Sequence, residues 1–215
     1  MKHIIICFLI LTSFSACTKF GKTYRVKGRV LNPITGQGIE GAEVRIYKNT
    51  MELPGGSKMQ KSAITDSEGN FDLSKLAFRT DKISVYSFPG EYYPIGWTRN
   101  NGQSFDMPAL KMGKTMHADF YAVPYGEIKT SIHNINCGGL HDTLIFNRTY
   151  HSLSNVSVFQ PFTLTGCIND NGGFAKVPSG DYLIEWTVIR NGILNSYSHI
   201  LTVPPNGQGS YNIEY

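Results

Sequence analysis

His133, Cys137, His141 and Cys167 are residues of this 215-residue chain whose types and spacing could do chemistry together. Two imidazoles and two thiolates make a Cys2His2 set, the ligand complement of a tetrahedral structural zinc site. His133, Cys137 and His141 follow at four-residue intervals, a spacing that aligns ligands only on a helix. Asn134-Ile135-Asn136 and Gly138-Gly139 oppose a helix there, because Asn competes for backbone hydrogen bonds and Gly loses the most backbone entropy. The simpler chemistry for Cys137 and Cys167, about 30 residues apart, is a disulfide, with two free thiols as the third option. His133, His141 and Asp142 also set two imidazoles near a carboxylate, the raw material of an acid–base site in an enzyme.

A second cluster is aromatic. The segment Phe88 to Asn101 carries Tyr92, Tyr93, Trp97 and Arg99 among glycines and prolines. Aromatic faces stack on sugar rings while Arg and Asn hydrogen-bond to hydroxyls, so these four residues form the candidate glycan-binding surface. Alternatively, Tyr92 and Trp97 fold back onto the edge of a sandwich. Gly36-Gln37-Gly38-Ile39-Glu40-Gly41 matches G-x-G-x-x-G but opens a strand, so no helix N-terminus cradles a pyrophosphate. Gly113-Lys114-Thr115 lacks the upstream glycine of a P-loop, since Pro108 stands there. The Asp66 turn lacks the bidentate Glu of an EF-hand, with Ala77 in its place. No G-x-S-x-G, H-E-x-x-H or S-x-x-K motif occurs. The residues therefore call for no cofactor, and the disulfide is preferred to the metal. The formal charge of +4 is scattered along the chain, which leaves no nucleic-acid footprint.

The elements that must position these residues read as strands. Charged residues make up only 17% of the chain, with 22 glycines, 10 prolines and 12% aromatics, the composition of short strands separated by turns. Alternation runs through Tyr24–Val30, Ala42–Tyr47, Lys61–Thr65, Phe71–Leu73 and Lys82–Tyr86. Asp66-Ser67-Glu68-Gly69-Asn70 is the tight turn between two of them. Thr115–Val123 closes this half, and any helix is limited to a turn or two around Ser74–Arg79. Val123-Pro124-Tyr125-Gly126 is the expected domain boundary. Beyond it, Glu127–Ile135, Thr143–Phe146, Phe162–Cys167, Asp181–Arg190, Ser196–Val203 and Ser210–Tyr215 read as strands. Asn169-Asp170-Asn171-Gly172-Gly173-Phe174 echoes the Asp66–Phe71 hairpin, which makes the second half either a degenerate copy of the first or a sandwich of another topology.

The N-terminus places the chain. Met1-Lys2-His3 is a short basic start, and Ile4–Phe14 is apolar. About eleven residues span roughly 16 Å as a helix, against a hydrocarbon core of about 30 Å, so the segment is a signal-peptide core and not a membrane span. Phe14-Ser15-Ala16-Cys17 resembles the lipobox of bacterial lipoproteins. That resemblance implies cleavage after residue 16, a lipidated Cys17 and a short tether over 17–22. Several acyl chains on Cys17 would make a stable membrane anchor, each buried methylene contributing about 0.8 kcal/mol. Thr18 follows the cysteine where inner-membrane lipoproteins commonly carry Asp, which points to the outer membrane. With Cys7 removed and Cys17 acylated, Cys137 and Cys167 are left as a pair in an oxidising envelope.

Val26-x-Gly28-x-Val30, Thr35-Gly36, Ile39-Glu40-Gly41-Ala42-Glu43-Val44 and Thr65-Asp66-Ser67-Glu68-Gly69-Asn70-Phe71 together resemble the carboxypeptidase regulatory-like family. The resemblance covers about residues 23 to 90 and implies a transthyretin-like β-sandwich used as a non-catalytic accessory. The chain departs from it after Tyr86, where the loop Phe88–Met112 is long. The expected architecture is all-β: two β-sandwich domains, the first (23–123) a transthyretin-like or Ig-like Greek key, the second (124–215) a β-sandwich whose topology the sequence leaves open. The expected function is a non-enzymatic envelope lipoprotein acting as an accessory or binding subunit. Its partners would be the membrane, through the anchor, and a glycan or an envelope protein. A glycan-binding module and an envelope enzyme are the alternatives.

Overall fold

The computed structural model describes residues 21–50, 56–76, 81–98, 108, 110–153 and 159–215. Cys17 and Arg99 lie outside the described residues, as does the whole N-terminal apolar run. The described chain is all-β and divides into two compact units. One comprises the described part of Met1–Leu31 with Gln37–Pro89 and Gly96–Phe120; the other comprises Asn32–Gly36, Gly90–Ile95 and Tyr121–Tyr215.

In the first unit β1 (Thr23–Leu31) pairs antiparallel with β4 (Asn70–Leu76) and parallel with β7 (Thr115–His117). A second sheet places β2 (Glu43–Thr50) between β3 (Gly56–Ile64) and β5 (Asp81–Ser87), both antiparallel to it. Alternation does what the pattern predicts: Tyr24, Val26 and Val30 of β1 are buried, as are Val44, Ile46, Leu73 and Ile83 from the other strands. The turn into β4 is the expected one. The Oδ1 atom of Asp66 accepts from the backbone N–H of Glu68 at 3.0 Å and of Asn70 at 2.8 Å, and Gly69 takes φ 78°.

In the second unit β8 (Asp119–His133) pairs antiparallel with β11 (Asn169–Asp170) and β12 (Ala175–Pro178), and parallel with β15 (Gln208–Glu214). The facing sheet places β9 (Thr143–Tyr150) between β10 (Phe162–Thr165) and β13 (Gly180–Arg190). A two-residue hairpin then adds β14 (Ile193–Val203) beside β13. The core is Ile132, Leu144, Phe146, Ile184, Trp186, Val188 and Ile213, continued by Ile128, Tyr150, Val177 and Tyr182.

The two units share one strand order. In each, the first strand pairs antiparallel with the fourth position and parallel with the last, while the second strand sits between the third and the fifth. Of the two options left open for the C-terminal half, the strand order is that of a copy of the first.

Two local expectations are corrected. Asn169–Phe174 is no hairpin, because β11 and β12 both pair with β8 and the register slips by one residue between them. It is a bulge, with Gly172 at φ 57° where a Cβ would meet the Thr130 carbonyl oxygen at 2.3 Å. Strand β8 runs through residues 123–126, and the two compact units divide between Phe120 and Tyr121. Within the segment read as a loop, Tyr92–Thr98 forms strand β6.

Candidate functional site

Cys137 and Cys167 are joined by a disulfide, with their Cα atoms 5.3 Å apart. The sulfurs are therefore unavailable to a cation, and the Cys2His2 alternative with His133 and His141 loses both thiolates. Among the described residues no group of three or more His, Cys, Asp or Glu side chains is placed to hold a metal.

Beside the disulfide lies Asp142, which is 4% exposed. Its Oδ2 atom accepts from Asn134 Nδ2 at 3.0 Å, from the Gly138 N–H at 2.9 Å and from Arg190 Nε at 2.9 Å. Arg190 also donates to Asn134 Oδ1. These bonds, the Asn134 amide foremost and then the Gly138 N–H and the Arg190 guanidinium, hold the Asp142 carboxyl down to about 2. Asp142 is thereby held as a carboxylate at neutral pH, with its Oδ2 committed to internal donors. His133 instead contacts Asn169 Oδ1, and His141 is exposed. Asn134 and Arg190, neither of which carries a motif, turn out to complete the knot; the only sequence signal for Arg190 is a charge at the end of an alternating strand.

The aromatic segment also divides. Trp97 is 4% exposed and packs edge-on against Phe71 at 6.1 Å and Phe120 at 5.1 Å, in the core of the first unit. As a glycan platform it is corrected: at 4% exposure the ring is enclosed in the core and offers no surface on which a sugar could stack. Tyr92 and Tyr93 are half-buried, and Tyr93 meets Tyr125 edge-on at 5.9 Å in the second unit.

The other polar groups inside the units are structural too. Asp81 accepts from the Tyr24 hydroxyl and from Lys75 Nζ at 2.8 Å. Burial, then the bond to Asp81, pushes the Tyr24 hydroxyl far up. Burial raises Tyr150 to about 12 while its hydroxyl donates to the Ser179 carbonyl at 2.6 Å. In the first unit an open groove of about 660 Å³ holds Lys27, Arg29, Asp66, Asp72, His117 and Asp119. Its polar groups are partly engaged: Asp72 bonds Lys27 and, beyond the groove, Arg25, while Asp119 accepts from the backbone N–H of Arg29.

What the second unit does present is an apolar strand. Along β14 every residue from Ile193 to Ile200 is exposed, including Ile193 at 64%, Leu194 at 64%, Tyr197 at 51% and Ile200 at 46%. Tyr197 stacks on Trp186 at 5.5 Å, Trp186 meets Tyr211 at 5.8 Å, and His199 stacks on Tyr211 at 4.0 Å. The sequence reading placed a strand here but passed over its lack of any charged residue.

No protein-family model matches the chain, and no curated protein matches it. Among solved structures, it is similar to the TIE protein of Bacillus anthracis at 13% identity and TM-score 0.36, covering 90% of this chain and 34% of that one. This chain thus spans about a third of that protein's length. It is also similar to GBS52, the minor pilin of Streptococcus agalactiae, at 10% identity and TM-score 0.32, covering 90% of this chain and 94% of that one. A DUF3823 family protein from Parabacteroides merdae is similar at 12% identity and TM-score 0.31, covering 86% of this chain and all of that one.

Proposed function

We propose that the protein is a non-enzymatic cell-envelope lipoprotein, anchored through Cys17 in the outer membrane, that acts as an accessory or binding subunit. The observation that carries this reading is the contrast within the second unit. The Asp142 carboxylate and the two thiols are spent on internal bonds, Asp142 on Asn134, Gly138 and Arg190, and Cys137 on Cys167. Its large exposed apolar side chains Ile193, Leu194, Tyr197 and Ile200 stand together on one edge strand. Surfaces of that kind mark interaction sites. The disulfide accords with an oxidising compartment, and the Phe14–Cys17 resemblance supplies the anchor.

Mass spectrometry of the N-terminal peptide from envelope-purified protein tests the reading. The expected product begins at Cys17 and carries a diacylglyceryl thioether and an acylated amino group. An unmodified Cys17 would overturn the lipid anchor and the membrane placement built on it.

A further inference from the structure

We infer that the exposed edge of β14 pairs with β14 of a second copy of the chain, antiparallel, about a two-fold axis through Tyr197. This names the partner for the surface proposed above and rests on that reading.

β14 ends its sheet, in the order β10-β9-β13-β14, so among the described residues nothing bonds to its far side. Which groups face that side follows from the hairpin. Asn191 and Gly192, at φ 48° and 77°, make a two-residue turn closed by Arg190 opposite Ile193. The closing pair of such a turn exchanges its hydrogen bonds, and bonding alternates from there. Ile193, Asn195, Tyr197, His199 and Leu201 therefore direct their backbone groups toward β13. Leu194, Ser196, Ser198 and Ile200 direct theirs outward.

Edge strands in soluble proteins are usually blunted by charge, proline or shortness. The edge strand β3 of the first unit follows that rule with Lys58 and Lys61, and β10, at the other end of the β14 sheet, is only four residues long. β14 is eleven residues of ILNSYSHILTV, with no Lys, Arg, Asp, Glu or Pro.

The same sequence supplies the partner. About Tyr197 it reads nearly alike in both directions: Ser196 and Ser198 flank it, then Asn195 and His199, Leu194 and Ile200, Ile193 and Leu201. In an antiparallel pair centred on Tyr197, each residue stands opposite its counterpart. Serine meets serine, an amide meets an imidazole, and branched aliphatics meet twice on each strand. Like-with-like apolar and hydroxyl pairs are the stabilising ones across strands. The outward-facing residues 194, 196, 198 and 200 all fall opposite outward-facing residues, so this register closes about eight backbone hydrogen bonds. Tyr197 occupies a non-hydrogen-bonded pair, where side chains approach most closely. Trp186, stacked behind it, holds the ring upright for contact with its twin.

The test uses the full-length chain in its own envelope. Tyr197→Cys is expected to give a disulfide-linked dimer on non-reducing gels, at least about tenfold above Ser57→Cys on β3; directly opposed strand positions fall within disulfide reach. Ser198→Cys alone is expected to crosslink weakly, and to crosslink well when coexpressed with Ser196→Cys. Equal yields at 57 and 197 would overturn the pairing, and equal yields at 197 and 198 would overturn its register. Because new cysteines can disturb the Cys137–Cys167 bond, Ile200→Lys gives a second readout. It is expected to turn a detergent-solubilised dimer into a monomer with an unchanged melting curve. A monomeric parent, or a dimer that survives Ile200→Lys, would overturn the proposal, as would a different protein captured at Tyr197. An unmodified Cys17 would instead strike only the anchor, so the two readings fail separately.

Discussion

Arg190 donates from Nε to Oδ2 of Asp142 at 2.9 Å, tying the end of β13 to the segment that leads into β9. The contact sits beside the disulfide, and Asn134 bonds both partners. The knot gives the second unit a measurable acid response. Because the folded Asp142 carboxyl lies at about 2, below the ordinary 3.8, its contribution is complete above the ordinary value. It is lost as pH falls from about 4 through about 2. Urea unfolding at pH 7, 4 and 2.5 is expected to show a declining midpoint. Asp142→Asn, which leaves Arg190 unpaired, is expected to lower the pH 7 midpoint and to flatten the acid limb.

Breaking the disulfide is expected to cost about 3–4 kcal/mol, the chain-entropy value for a loop of about 30 residues. Cys137→Ser with Cys167→Ser, compared with the oxidised parent by denaturant titration, checks this. Equal midpoints for the oxidised parent and the double variant would contradict it.

Gly38 stands where a Cβ would meet the backbone carbon and oxygen of Glu68 at 2.1 Å. Neither neighbour is a side chain that can turn away. Gly38→Ala is expected to destabilise the protein by about 1–3 kcal/mol, read as a lower melting temperature with no change in strand content by circular dichroism.

Trp97→Ala is expected to cost about 3–5 kcal/mol as a large-to-small core change, and Trp97→Phe to recover much of it. If Trp97 were instead a surface ligand platform, both variants would melt like the parent.

Much of this was legible in the residues. Alternation with buried Val26, Val44 and Leu73 found most strands of the first unit, and the Asp66–Asn70 turn was readable because Asp and Gly each do a specific job there. The disulfide was legible from the compartment. Strand β6 was not, because Pro94 and Gly96 are breakers that an edge position tolerates. Nor was the Gly172 bulge, since Asn-Asp-Asn-Gly-Gly spells a turn and only pairing with β8 shows the chain continuing. Trp97 was misread because exposure is a property of neighbours distant in sequence, Phe71 and Phe120. The Asp142 knot draws on positions 134, 138, 142 and 190, which no local pattern unites.

The shared strand order of the two units hides a difference in how each is fastened. In the first, the Val30 N–H donates to the Gly69 carbonyl at 2.8 Å; in the second, the Asn134 N–H donates to the Ile168 carbonyl at 2.8 Å. Counting from those matched bonds, Cys167 occupies the place of Glu68. Where the first unit presses Gly38 onto Glu68, the second has a sulfur–sulfur bond. Glycine contact is available under any redox condition, whereas the covalent bond forms only where thiols are oxidised. A newly made chain in a reducing cytosol therefore has one half at its full stability and one half short of it. The bond is thus a latch that shuts only once the thiols are oxidised.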